Sequence, residues 1–383
     1  MKILSKIGID GIPLASPKTG IGHYTLELSR ALAAIDPDDE FQLISPVPLV
    51  SHDGLPRNLL MVEAPKRKLW WVAGLPLYIR RNSLALFHGT NYDIPLWSQC
   101  PTVLSIHDLS LLLYPQTHLE QVVRRARYRL PLMARKATRI ITATEHVKKE
   151  VAEHLRVNPA RIAVTPYAPR RDFHRVPRSE TEATRRRFGI DDIFILFVGT
   201  IEPRKNLITL LRAFAETHAN TDLRPQLVIA GQEGWLISEI SNYIESEGLN
   251  PWIRFTGYIA DEDLRALYSS CAVCVYPSLY EGFGLPPLEA MACGAPVIAA
   301  DVPSLHETTG KAALTVPPTD VEQLSRALVE MLRDEQKRAY FSRAGLEWAA
   351  QFTWERTARL TLQVYRDVID RINHKSTKAQ SFS

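Results

Sequence analysis

Glu281 and Glu289 are carboxylates eight residues apart, and Gly282 and Gly284 lie between them. Glycine lets a backbone approach a ligand closely, so the N–H groups of Phe283, Gly284 and Leu285, beside a helix N-terminus, form a seat for a phosphate. Glu289, inside that helix, is suited to accept hydrogen bonds from paired hydroxyls such as those of a ribose. Each acid taken singly also has a plainer reading, Glu281 as a solvated loop residue and Glu289 as a favourable charge in a first helical turn.

Such an arrangement needs a strand, a loop and a helix in close succession. Ala272 to Tyr276 has strand length and β-branched content, and Pro277 to Pro287 reads as loop. Leu288 to Cys293 has helical spacing until Gly294 stops it, and a second strand follows at Pro296 to Ala300. This order implies a parallel α/β sheet, whose ligands gather at the carboxyl ends of the strands.

The whole stretch, YPSLYEGFGLPPLEAMACGAPVIAAD from Tyr276 to Asp301, resembles the signature of the retaining GT-B glycosyltransferases of family 4, relatives of mannosyltransferases and glycogen synthases. In that family the second Glu holds the ribose of a sugar nucleotide and the first lies near the donor sugar, while the amides between them contact the diphosphate and sugar. The resemblance implies these roles for Glu289, for Glu281, and for Phe283, Gly284 and Leu285. It covers almost the whole chain and implies two Rossmann-like doubly wound domains facing a central cleft, with a C-terminal helix crossing back to the first.

Composition is compatible with this. The 383 residues suffice for two domains with their own cores, and 45% hydrophobic with 23% charged residues describes a globular protein. No uninterrupted apolar stretch is long enough to span a bilayer, and MKILSKIGIDGIPL reads as a first strand and not a signal peptide. Cys100, Cys271, Cys274 and Cys293 suggest no disulfide framework, so a reducing cytoplasm is expected. Cys271 and Cys274 form C-x-x-C inside an apolar strand, without the further ligands a zinc site needs.

Along the chain, the strand Ile3 to Asp10 leads through a loop containing Gly20, Ile21 and Gly22 into a helix from His23 to Ala34. The glycines allow backbone N–H groups to approach a second anionic group, and the resemblance implies that this loop faces the diphosphate or the attacked sugar. The strand Thr102 to Ile106 ends at His107, a place suited to a ligand contact, although a lone histidine is often structural. SIHDLS fits the family's x-H-D segment, which implies that His107 contacts donor sugar and phosphate and that Asp108 orients the loop. Tyr167 to Arg187, rich in proline and arginine, is the expected linker between a first domain (1–170 with 356–383) and a second (188–355).

In the second domain, the strand Phe194 to Gly199 runs into Thr200 and then Arg204 and Lys205 at the head of a helix. Two cations there can neutralise a departing diphosphate. The resemblance assigns that task to Lys205. Many family members place an arginine where this chain has Thr200, which leaves Arg204 as the second cation. After the strand Ile253 to Gly257, the resemblance implies nucleobase contacts from the backbone of Gly257, Tyr258 and Ile259. The long helix FTWERTARLTLQVYRDVIDRI closes the pattern, and His374 to Ser383 has the composition of a tail.

The net charge is only +4, yet Arg124, Arg125, Arg127, Arg129, Arg135, Lys136 and Arg139 fall in one stretch without an acid. With Lys66, Arg67 and Lys68 beside Leu69, Trp70 and Trp71, this density points to an anionic or membrane-held acceptor and to an anionic membrane surface. The alternative for Trp70 and Trp71 is a place in the core. Together these features predict a cytoplasmic enzyme, seated peripherally on the inner face of the plasma membrane, that moves a sugar from a nucleoside diphosphate sugar to the hydroxyl of a glycan or lipid-linked glycan. The expected donor is GDP-mannose, because GT-x-E-P-R-K-N is similar to bacterial O-antigen mannosyltransferases; the donor is a substrate, and neither a metal, a cofactor nor a nucleic-acid partner is expected. The alternatives are a UDP-sugar-dependent transferase, a GT-B nucleotide-sugar epimerase and a noncatalytic nucleotide-sugar binder. Dinucleotide oxidoreduction is disfavoured, because neither opening strand precedes G-x-G-x-x-G with a trailing acid.

Overall fold

A computed structural model describes residues 5–15, 20–50, 54–65, 69–235 and 238–380. The chain divides into two units, one of residues 1–112, 121–167 and 353–383, the other of residues 113–120 and 168–352.

In the first unit the chain runs through β1 (Lys6–Asp10), α1 (Gly20–Ile35), β2 (Glu40–Ser45), β3 (Leu59–Glu63), α2 (Leu75–Asn82), β4 (Leu86–Gly89) and β5 (Thr102–Ser105). After α3 (Ser110–Leu113) come α4 (Glu120–Lys136), β6 (Arg139–Thr142), α5 (Glu145–His154) and β7 (Ile162–Val164). The strands pair in parallel in the order β3-β2-β1-β4-β5-β6-β7. Such a sheet is covered on both faces, which is why β4 and β5 are buried along their whole length. Strand order reverses beside β1, where β4 and not β3 is its second neighbour, so the ends of β1 and β4 flank the switch point at which doubly wound sheets bind ligands.

The second unit repeats the plan. It contains α6 (Arg178–Phe188), β8 (Phe194–Val198), α7 (Leu207–Asn220), β9 (Gln226–Ala230), α8 (Ser238–Ser246), β10 (Ile253–Gly257), α9 (Asp261–Ser270) and β11 (Val273–Tyr276). Then follow α10 (Leu285–Ala292), β12 (Val297–Ala300), α11 (Pro303–Thr309), β13 (Leu314–Val316), α12 (Val321–Arg333) and α13 (Glu335–Ala349). Its parallel order is β10-β9-β8-β11-β12-β13. Phe197, Ile195, Leu227, Ile229, Val273 and Val275 supply one face of the core, and Leu210, Leu211, Phe214, Leu324 and Leu328 from α7 and α12 cover it.

The last helix, α14 (Trp354–Gln380), packs on α1 of the first unit. Tyr365 is fully buried there, its hydroxyl 2.6 Å from His88 Nδ1, while His88 Nε2 and Tyr24 Oη both reach Ser105 Oγ at 2.8 Å. Thr357 adds a hydrogen bond of 2.6 Å to the Pro166 carbonyl. The residues expected as a tail continue this helix to Gln380.

Other departures have local causes. β3 falls in proline-punctuated sequence and is an edge strand with only Leu59 fully buried. α10 starts three residues earlier than the spacing suggests, because Pro286 and Pro287 sit in its first turn, where a missing N–H costs nothing. α1 likewise begins at Gly20, so the three expected loop residues form its first turn. The segment expected as a linker contains α6. Trp70 and Trp71 are half-buried and pack against the cluster of Ile44, Leu75, Ile79 and Phe87; Lys66, Arg67 and Lys68 lie outside the described residues.

Candidate active site

β8 and β11 are adjacent, with Val273 opposite Ile195 and Cys274 opposite Leu196, so the loops leaving their carboxyl ends meet at the switch point. The loop after β8 tightens into a turn over Pro203–Lys205, and Asn206 follows in the left-handed region at φ 56°. The Asn206 side chain donates to the carbonyls of Pro277 (3.0 Å) and Pro318 (2.6 Å), and Leu279 N–H donates to the Arg204 carbonyl (2.9 Å), tying the two loops together. Asparagine tolerates this backbone and also supplies the donors.

That junction brings three of the expected residues into one cluster. Lys205 Nζ lies 2.6 Å from Glu281 Oε1 and 2.6 Å from the Tyr276 hydroxyl. Arg204 Nη1 is 3.0 Å from the same Glu281 oxygen and 2.9 Å from the Tyr280 carbonyl, while Nη2 meets Glu202 at 2.5 Å. All four charged side chains are nearly buried. Burial alone would raise the Glu281 carboxyl, but Lys205 first and Arg204 second outweigh it and hold Glu281 at about 2. Burial also lowers Lys205 from its usual value, and Glu281 offsets part of that. Two cations thus stand against two carboxylates at the ends of β8 and β11.

The stretch after Glu281 is held from α11. Ser304 Oγ donates to the Glu281 carbonyl at 2.5 Å and Thr308 Oγ1 donates to that of Phe283. Gly284 adopts φ 95° as the N-cap of α10, a conformation favourable only for glycine, and turns the chain so that Leu285 opens the helix. Gly199 (φ 151°) and Gly231 (φ 154°) end β8 and β9 so closely that a Cβ on Gly231 would sit 1.9 Å from the Gly199 oxygen. Gly257 ends β10 at φ 66° and accepts a hydrogen bond from Gly231 N–H at 2.9 Å. Tyr258 beyond it is exposed and Ile259 buried, and Thr200 is exposed. Glu289 is buried on α10 and paired with Arg170 at 2.7 Å.

A match to the glycosyl transferases group 1 family spans residues 180–348, and a match to glycosyltransferase family 4 spans residues 18–168. The chain is 32% identical to O-antigen chain mannosyltransferase B of Escherichia coli over 92% of this chain and 97% of the relative. The chain belongs to this family of glycosyltransferases. It is also 27% identical to O-antigen chain mannosyltransferase RfbU of Salmonella typhimurium, over 88% of this chain and 92% of that protein. In fold, this glycosyltransferase is similar to sucrose-phosphate synthase from Thermosynechococcus elongatus, with a TM-score of 0.77, 24% identity and coverage of 96% of this chain and 100% of that one. Its two parallel Rossmann-like sheets are those of a GT-B glycosyltransferase.

In the first unit of the glycosyltransferase, His107 follows β5 and is buried. Its Nε2 lies 2.7 Å from the Thr90 carbonyl, which can only accept, so Nε2 carries the proton and Nδ1 accepts from the Tyr167 hydroxyl at 2.6 Å. Burial lowers the imidazole's pKa and keeps it neutral. Both ring nitrogens are therefore engaged within this unit. Gly20 is exposed, Ile21 half-buried and Gly22 buried at the head of α1.

Sequence reasoning passed over Asn206, Tyr276, Gly231, Arg170 and Asp261. One signal was available: β8, β9 and β10 each run into or directly precede a glycine, at Gly199, Gly231 and Gly257, marking backbone that must stay bare at the ligand end of the sheet. Arg170 had none, being one arginine among many in its segment.

Proposed function

We propose that this glycosyltransferase moves mannose from GDP-mannose, with retention at the anomeric carbon, to a hydroxyl of a lipid-linked or polysaccharide acceptor in cell-surface glycan assembly. The observation that carries the reading is the cluster of Lys205, Arg204 and Glu281 at the switch point of the second sheet. Lys205 has three N–H donors and uses two on Tyr276 and Glu281, leaving the third for a phosphate oxygen. As the bond from the anomeric carbon to the phosphate oxygen breaks, its electron pair passes to the diphosphate, and cations preorganised in a buried site stabilise that charge. The acceptor oxygen attacks the same face of the sugar, and its proton passes to the departing phosphate. The amides of Phe283, Gly284 and Leu285 complete the seat, Glu289 takes the ribose, and the backbone at Gly257, Tyr258 and Ile259 faces the base. Two O-antigen mannosyltransferases among the relatives support mannose. A donor screen read by product mass tests this: hexose transfer from GDP-mannose is expected, and transfer from UDP-sugars alone would replace the assignment.

Among the described residues no helix is long and apolar enough to cross a membrane, and a peripheral seat on an anionic cytoplasmic surface is part of the proposal. The exposed side of α4 supports it, with Val122, Tyr128 (78% exposed) and Leu132 among Arg124, Arg125, Arg127, Arg135 and Lys136. Arg129 and Arg139 are engaged by Asp93 and the Ala160 carbonyl and do not belong to it.

A further inference from the structure

Arg170 lies near the start of the 168–352 segment of the second unit, ahead of α6. Its Nε and Nη2 donate to the two oxygens of Glu289, each at 2.7 Å, and Nη1 donates to Asp261 at 2.6 Å. The guanidinium also lies 3.8 Å over the ring of Phe173. The side chains of Arg170 and Glu289 are 13% and 5% exposed, so the pair is buried as well as bidentate.

We propose that Arg170 is a positioning residue for the donor's nucleoside, holding the Glu289 carboxylate ready for a vicinal diol and tying it to the loop that precedes α9. The proposal rests on the reading of Glu289 as the ribose-holding carboxylate. A carboxylate offers about four lone-pair sites. The side-on guanidinium takes one on each oxygen, fixing the plane of the group and leaving one on each for two neighbouring hydroxyls. Asp261 is the first residue of α9, directly after the Gly257–Ala260 segment, so the same arginine links the ribose carboxylate to the backbone assigned to the base. Arg170 is not an occupant that donor must expel: leaving Glu289 would also mean leaving Asp261 and Phe173. Without it Glu289 becomes a buried carboxylate with no counter-ion and nothing to fix its plane.

The test is calorimetric titration of the full chain with GDP and 2′,3′-dideoxy-GDP, with the UDP pair in parallel. The wild type should prefer the ribose form by about tenfold or more, the scale of a hydrogen bond to a charged group. Glu289→Gln and Arg170→Met should both abolish that preference, and Asp261→Asn should reduce it. No preference in the wild type, or full preference in Glu289→Gln, overturns the reading of Glu289 and this proposal with it. If those two proteins behave as expected while folded Arg170→Met keeps the full preference, only the role of Arg170 is overturned. Should Arg170→Met fail to fold, Asp261→Asn decides, since that side chain is 44% exposed and tolerates replacement; an unchanged preference there refutes the proposal.

Discussion

Lys205 Nζ sits 2.6 Å from Glu281 Oε1, joining two loops 76 residues apart in the chain. The contact follows from the sheet order, which makes β8 and β11 neighbours. It also sets a stability expectation. Glu281→Gln leaves Lys205 buried without its counter-ion, and breaking a buried pair from one side costs about 3 kcal/mol or more. Urea unfolding should show that loss; a midpoint equal to wild type would mean that the pair is solvated in solution.

Two glycines should respond in opposite ways. Gly231→Ala drives a Cβ into the Gly199 carbonyl at 1.9 Å and should destabilise by about 3 kcal/mol or more. Gly20→Ala meets no described atom within 4 Å at the head of α1 and should leave stability unchanged or slightly raised. If a ligand passes close to Gly20, as the family resemblance implies, turnover of that variant should still fall by about tenfold or more. Thermal melts and initial rates on the two variants separate these outcomes.

His88, buried between Tyr365 and Ser105, has its pKa lowered to about 3, by burial first and by His107 second. Its folded value lies below the ordinary 6.5, so unfolding binds a proton and the stability it contributes is lost as pH falls below about 6.5. Asp10, raised by burial to about 7, acts in the opposite sense over the same range, so the slope of the wild type alone decides nothing. The difference does: the cost of His88→Gln at pH 5 should be about 2 kcal/mol smaller than at pH 7. An equal cost at both values would show that His88 is not held neutral in the folded protein.

Replacing Arg124, Arg125 and Arg127 by alanine removes three exposed cations from α4. At about 1 kcal/mol each beside an anionic surface, binding to phosphatidylserine vesicles should weaken by about a hundredfold. Unchanged co-sedimentation would leave α4 a solvated helix.

The strands that carry the site were legible because each is an apolar run of strand length that meets loop signals at its carboxyl end. Phe194 to Val198 and Val273 to Tyr276 show it plainly. β3 was not, since an edge strand with LLMVE half out of the core carries little periodic signal. Glu281, Lys205 and Arg204 could each be singled out from residue type and family resemblance, but their shared cluster depends on strand order, which no local spacing encodes. Arg170 was invisible for the same reason: its three partners, Glu289, Asp261 and Phe173, come from three different elements or loops.

Charge stabilisation of a departing diphosphate by the cluster that includes Lys205 is the central step of the proposed transfer. The most direct measurement is the turnover of Lys205→Ala with GDP-mannose and a glycan acceptor, beside wild type and with folding verified by circular dichroism. A fall of about a hundredfold or more is expected. A rate near that of the wild type would contradict it.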